Sequence, residues 1–290
     1  MKKILVLTDL SENADHAALA AIPVSAKLNA NILLLHTWMI QPVLADYPNA
    51  SWGVETILYA EQSKAHLERN KENIMEQIAL LDPKQHHASI DWFQEDGNVS
   101  DHVAERLKKG DIEMIIMGAS AGSRLDHLLL GSDTYSVISN SNRPVLVVPP
   151  GQGLNKIEKV TFATDFNEAD VEAVHYLTRI GRKLNFHLEI LHVIEFGKDD
   201  SDALNKKNSF LKHVAKFDYP NISFENVFGK NIVNRLQDQC MKNNTDLLAL
   251  SHDQHSFWNR LFKTTQSGEL LKKQELPVLI IPATIKHEGI

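Results

Sequence analysis

Short, nearly unbroken apolar runs alternate along this chain with longer stretches of mixed character. Ile4–Thr8 is apolar up to a polar turn, the pattern of a strand buried on both faces. Ser11 can cap a helix that runs to about Leu28, with Ala18, Ala21, Ile22 and Ser25 on its packed side. Asn31–Thr37 is a second apolar strand. Strand, helix and strand in so short a span predict a parallel pair joined by a right-handed crossover. Residues 39–56 form a long connection with prolines and aromatics, and Glu55 to about Leu81 reads as a charged amphipathic helix. The rest of the first half predicts a strand at Ala88–Phe93, a helix at Val99–Lys109, a strand at Glu113–Met117, a helix at Asp133–Asn140 and a strand at Pro144–Val148.

The same order then returns. Thr8–Asp9, Lys27–Leu28–Asn29 and Leu35–His36 recur as Thr164–Asp165, Lys183–Leu184–Asn185 and Leu191–His192, at a constant offset of 156 (164 − 8). Towards the end of each half the offset is 133: Gly118 meets Ser251, and Pro144–Val145–Leu146 meets Pro277–Val278–Leu279. The second half is therefore 23 residues shorter (156 − 133) between those blocks. Its pattern predicts strands at Lys159–Thr164, His187–Val193, Ile222–Asn226, Asp246–Leu250 and Pro277–Ile281. Helices are expected at Glu168–Leu184, Leu204–Lys216, Asn231–Lys242 and Gln266–Gln274. So long a period predicts two domains, 1–150 and 151–290, joined at Pro149, Pro150, Gly151 and Gly153. Each is an α/β domain with a five-stranded, doubly wound parallel sheet.

Composition narrows the function classes. A chain of 290 residues with 43% apolar and 23% charged residues has the make-up of soluble globular proteins. The net charge of −7 argues against nucleic-acid binding, which needs a basic face. The single cysteine, Cys240, fits a reducing compartment. The amino terminus lacks the pattern of a signal peptide, and no apolar stretch is long enough for a membrane span. The expected location is cytoplasmic.

In doubly wound sheets ligands bind beyond the carboxyl ends of the strands, where strand order reverses. Two segments of the first half meet there: Thr8–Asp9, and the stretch from Gly118 to Thr134. Gly118 permits close backbone approach. Gly131–Ser132 stands at a helix start, whose free N–H groups suit a phosphate, and Ser132 and Thr134 add hydroxyls. Asp9 can accept hydrogen bonds from ribose or an adenine amino group, or can serve the helix cap; its residue type allows both. In the second half Ser251, Gln254 and Thr264–Thr265 replace the small residues, and Phe257 and Trp258 add bulk. His252 and His255 are too few for a metal site, and the expectation is none. His36 and His192, at matched strand ends, suggest hydrogen bonding to a neighbouring loop. No nucleophile elbow, zinc-protease motif or P-loop lysine is present in the sequence.

The openings ILVLTDLSENAD and VTFATDFNEAD, the strands LLLHTW and EILHVI, and the closing segments from Gly118 and from Ser251 carry a family resemblance. Both halves resemble universal stress protein (UspA-like) domains, and the whole chain resembles the tandem members. That resemblance implies an adenine nucleotide alpha hydrolase-like fold. Its nucleotide-binding branch carries Gly, two residues, Gly, nine residues, Gly, then Ser or Thr. Here the series reads Gly118, Ala121, Gly131–Ser132, with Gly122 one step after the substituted position. The resemblance implies that Thr8, Asp9 and Thr37 approach base and ribose. Gly118, Ser120, Ala121, Gly131, Ser132, Asp133 and Thr134 then line ribose and phosphates of ATP, with Mg2+ as its companion. It also implies that Val145–Val148 and Val278–Ile281 pair within the chain as an intrachain pseudo-dimer, with a homodimer of whole chains a further option. The expected role is a regulatory or stress-response module. A slow ATPase or self-phosphorylating enzyme, with Ser132 or Thr134 as acceptor, and a stress protein without nucleotide are the alternatives.

Overall fold

A computed structural model describes residues 1–38, 52–119, 132–196, 203–252 and 276–285. Its first half runs β1 (Lys3–Thr8), α1 (Glu12–Leu28), β2 (Asn31–Trp38), α2 (Trp52–Ala79), β3 (Ile90–Asp96), α3 (Val99–Leu107), β4 (Ile112–Gly118), α4 (Ser132–Asn140) and β5 (Val145–Val148). The second half runs β6 (Lys159–Ala163), α5 (Glu168–Leu184), β7 (His187–Glu195), α6 (Ala203–Val214), β8 (Ile222–Gly229), α7 (Ile232–Lys242), β9 (Leu247–His252) and β10 (Val278–Pro282), with a short 3-10 turn at Ala215–Phe217. The helix expected at Gln266–Gln274 lies outside the described residues. Strand β3 begins at Ile90, two residues later than its sequence pattern predicts, so the adjacent His86 and His87 precede the strand.

All ten strands form one sheet in the order β3-β2-β1-β4-β5-β10-β9-β6-β7-β8. Within each half every pairing is parallel, and strand order reverses between β1 and β4, and again between β6 and β9. The halves join at β5 and β10, which pair antiparallel with Val147 opposite Val278, Leu146 opposite Leu279 and Val145 opposite Ile280. All four residues of β5 are buried. This pairing removes what would otherwise be an exposed apolar edge on each half.

The repeated motifs have local physical reasons. Ser11 and Asn167 are the N-caps of α1 and α5, accepting from the backbone N–H of Ala14 and Asp170. The recurring Lys-Leu-Asn ends both helices. Asn29 and Asn185 adopt left-handed backbone at φ 52° and 59° and return their N–H to Ser25 and Gly181, a conformation asparagine tolerates. After β1 and β6 the chain turns through Leu10 and Phe166, both at positive φ (65° and 64°). The preceding threonine hydroxyl braces each turn: Thr8 Oγ1 accepts from Leu10 N at 3.0 Å, and Thr164 Oγ1 from Phe166 N at 2.9 Å.

The core lies on both faces of the sheet, and each apolar cluster contains residues of both halves. Helix α1 packs against α5 across the seam. The Arg179 guanidinium of α5 reaches the buried Glu113 carboxylate of β4, an ion pair between the halves. Among the described residues, no helix is long and apolar enough to cross a membrane.

Candidate functional site

Beyond the carboxyl ends of β1 and β4, where the strand order reverses, lies a cleft of about 380 Å3. Strand β1 contributes Leu7 and Thr8, the turn after it Asp9 and Ser11, and α1 contributes Asn13 and Ala14. Thr37 comes from β2, Val99 from α3, and Met117 and Gly118 from β4. Ala119 follows, and Ser132, Asp133 and Thr134 open α4. The two segments singled out from sequence therefore face each other across one cleft. Of the expected positions, Thr8, Asp9, Thr37, Gly118, Ser132, Asp133 and Thr134 line it. Ser120, Ala121 and Gly131 lie outside the described residues, as do Gln254, Phe257, Trp258, Thr264 and Thr265 of the second half.

Helices α1 and α4 both begin at this cleft. In α1 the cap is two-tiered. Ser11 Oγ accepts from Ala14 N at 3.3 Å, and the Ser11 hydroxyl donates onward to Asp9 Oδ1, which also accepts from Ser11 N at 3.0 Å. The sequence allowed Asp9 either a capping or a ligand-facing role. Here it buttresses the cap and remains exposed at the cleft rim. At α4, Ser132 Oγ donates to Asp133 Oδ1 at 3.3 Å, and both residues are exposed while Thr134 is buried. Asn13 ties α1 to β4, its amide donating to Ala119 O at 3.2 Å.

Gly118 has a second reason beside the close backbone approach its sequence position suggests. A Cβ there would lie 2.6 Å from the Asn13 carbonyl oxygen and 2.9 Å from its carbon. The missing side chain lets the first turn of α1 press against the end of β4, so glycine shapes the cleft wall by helix–strand packing. The sequence also missed Ser11, Asn13, Ala14, Leu7, Val99 and Met117 as lining residues. The helix-cap pattern at Ser11 was the available signal for the first three, since a cap places the next turn at the same rim.

His36 and His192 play matched parts. Nδ1 of each donates to the carbonyl of the turn threonine, at 2.9 Å to Thr8 and 2.8 Å to Thr164. Burial pushes the His36 pKa below the usual imidazole value, against the pull of the Thr8 carbonyl and Asp9. The ring is neutral at neutral pH, and its Nε2 is buried without a hydrogen-bond partner among the described residues.

The equivalent point of the second half is built differently. Ser251 stands at the Gly118 position, and Asp170 at the Ala14 position (170 − 156). The Ser251 hydroxyl donates to Asp170 Oδ1. Asp170 Oδ2 accepts from the Thr164 hydroxyl at 2.7 Å and from Asp165 N at 3.1 Å. The carboxyl is buried, and that burial, with the neighbouring Asp165 charge, lifts its pKa to about 7 against the pull of those three donors. Where the first half presses a glycine directly against the start of α1, the second links the two elements through a hydrogen-bonded carboxyl. Among the described residues, no group of three or more His, Cys, Asp or Glu could hold a metal ion.

Comparison with known proteins adds the following. The model of the universal stress protein family matches residues 1–149. Universal stress protein Slr1230 of Synechocystis is 26% identical over an alignment taking in 96% of this chain and 99% of that protein. Universal stress protein MJ0531 of Methanocaldococcus jannaschii is 27% identical over 147 residues, 51% of this chain and 81% of its own. Among solved structures, a universal stress protein from Archaeoglobus fulgidus superposes with a TM-score of 0.70 over 97% of this chain and 96% of its own, at 17% identity. That last likeness is one of fold.

Proposed function

The chain belongs to the universal stress protein family, and from that premise we propose that it is a regulatory module whose first domain, 1–150, binds an adenine nucleotide, with ATP as the reference ligand. The second domain, 151–290, is its structural partner in an intrachain pseudo-dimer, and the protein works in the cytoplasm. The observation that carries the reading is convergence. Thr8, Asp9, Gly118, Ser132, Asp133 and Thr134, from two separate segments of the sequence, and Thr37, which the family resemblance adds from a third, line one cleft at the strand-order reversal. Its volume, about 380 Å3, lies in the range of small-molecule sites. The hydroxyls of Ser132 and Thr37 and the carboxylate of Asp9 suit a ribose or an adenine amino group. In the second domain side chains replace the glycine and alanine of the cleft wall, a Ser251–Asp170 hydrogen bond standing at the Gly118–Ala14 position, which supports one ligand per chain.

Binding is favoured over turnover. Of the two candidate phosphoryl acceptors Thr134 is 2% exposed and poorly placed, Ser132 is exposed with its hydroxyl directed to Asp133, and no histidine is among the described lining residues to serve as a base. Isothermal titration of the whole chain with ATP, AMP and adenosine tests the reading. It expects saturable binding at one site per chain. Two sites per chain would overturn the assignment of the second domain, and no heat with any of the three at millimolar concentration would overturn the nucleotide reading.

A further inference from the structure

The two ends of the ten-stranded sheet differ. Strand β3 closes one end and carries the exposed carboxylates Asp91, Glu95 and Asp96, charges that discourage another strand from pairing there. Strand β8 closes the other end, pairs among the described residues with β7 alone, and has no such guard. Its one carboxylate, Glu225, is half-buried and accepts from the Gln239 and Asn243 amides. On the opposite face Phe224 and Phe228 are 46% and 58% exposed, and Phe228 stacks on the 60% exposed Phe196 with ring centroids 5.9 Å apart. The free backbone groups belong to the same residues. The Asn221 and Gly229 carbonyls accept from Leu188 N in β7 and from Phe196 N just beyond it. In the alternation of a parallel ladder, Ser223, Glu225 and Val227 therefore also face β7, while Phe224, Asn226 and Phe228 turn their N–H and C=O outward.

We propose that β8 is the docking edge for a second copy of this chain, pairing antiparallel with its own twin about a two-fold axis at Asn226. Self-complementarity names the occupant. A two-fold interface uses one patch twice, so a residue before the axis meets the one equally far beyond it. Centred on Asn226, Phe224 stands opposite Phe228 of the second copy, Phe228 opposite its Phe224, and Asn226 opposite Asn226. These are the outward-facing positions, so each pair exchanges both backbone hydrogen bonds and the aromatic pairs share one face. On the other face Glu225 meets Val227, and no like charges are directly opposed. Other centres fit worse. Moving the axis to Glu225 would oppose two carboxylates and set Phe224 against Asn226; moving it to Val227 would set Phe228 against Asn226 and Phe224 against Lys230. The three phenylalanines, about half exposed, offer roughly 300 Å2 per chain. With the strand backbone added, that lies at the low end of specific interfaces, which makes the dimer reversible and of micromolar strength.

The test is sedimentation equilibrium of the whole chain over roughly 1 to 300 μM, a range that brackets that strength. The expected result is a monomer–dimer equilibrium. Phe228→Glu should weaken it by about tenfold or more, with the urea midpoint of the monomer unchanged because the side chain is exposed. Asn226→Cys tests the register. An antiparallel hydrogen-bonded pair holds its Cα atoms about 5.5 Å apart, within disulfide reach. Mild oxidation should link Asn226→Cys chains about tenfold faster than Asp91→Cys chains, whose thiol lies on the other edge, while the native Cys240 is buried. A chain that stays monomeric over the whole range would overturn the proposal and give the edge to an extended segment of a different protein. A dimer untouched by Phe228→Glu, or cross-linking of Asn226→Cys no faster than of Asp91→Cys, would overturn it too, since the copies would then meet elsewhere.

Discussion

Replacing Asp170 by asparagine should leave the protein nearly unchanged in mild acid and make it markedly more stable in mild alkali. The carboxyl is 1% exposed. Burial, aided by the nearby Asp165 charge, raises its pKa from 3.8 to about 7 in spite of three donors aimed at it. In the unfolded chain the proton leaves near the ordinary value; in the folded chain it stays until about pH 7. Between those two values the folded state holds one proton more than the unfolded state, so stability falls as pH rises. At about 1.4 kcal/mol per pH unit over roughly three units, the loss is about 4 kcal/mol as an upper bound. Asparagine can keep its oxygen on the Ser251 hydroxyl and turn its amide to the Thr164 hydroxyl oxygen, loses the bond from Asp165 N, and has no proton to release. Urea unfolding of parent and variant from pH 4.5 to 8.5 isolates the effect, because every other titrating group is common to both. The variant should gain steadily up to about pH 7 and then level off. Parallel curves would show that burial does not control this carboxyl.

Other substitutions probe the seam and the turn. Gly118→Ala places a Cβ against the Asn13 backbone, which cannot rotate away, and should cost about 1–3 kcal/mol in urea unfolding; an unchanged midpoint would mean that the start of α1 is not pressed on β4. Arg179→Met removes the partner of the buried Glu113 carboxylate and, with the guanidinium 41% exposed and screened by water, should cost about 1–2 kcal/mol, of which Glu113→Gln in the same chain recovers at least half; additive losses would count against a direct pair. Leu10→Gly relieves a left-handed backbone worth about 1–2 kcal/mol and should destabilise by less than Leu10→Ala, which removes nearly the same side chain but keeps a Cβ at that positive φ; a larger loss with glycine would remove strain from the account.

The fold was legible because the repeated motifs do local work. Thr8–Asp9 and Thr164–Asp165 recur since each threonine braces a left-handed turn, and Lys-Leu-Asn recurs since asparagine can end a helix in that conformation. Such chemistry is contained within a few residues and so is visible in one chain. The cleft was only half legible. Its hydroxyls and carboxylates stood out by type, but Asn13, Ala14 and Val99 reach it through helix packing, which residue identity does not encode. The second reason for Gly118 was hidden for the same cause: its neighbour is Asn13, more than a hundred positions away. Asp170 went unremarked because a carboxylate in the first turn of a helix looks like an ordinary dipole partner. Only the fold turns it inward, onto Ser251.

Because β5 and β10 run in opposite directions, the two halves send the tips of their strands to opposite borders of the shared sheet. A molecule settling at the Gly118 end and a protein recognising the Ser251 end would never meet or compete. Between those poles stand the central four strands, the α1–α5 contact and the Arg179–Glu113 pair.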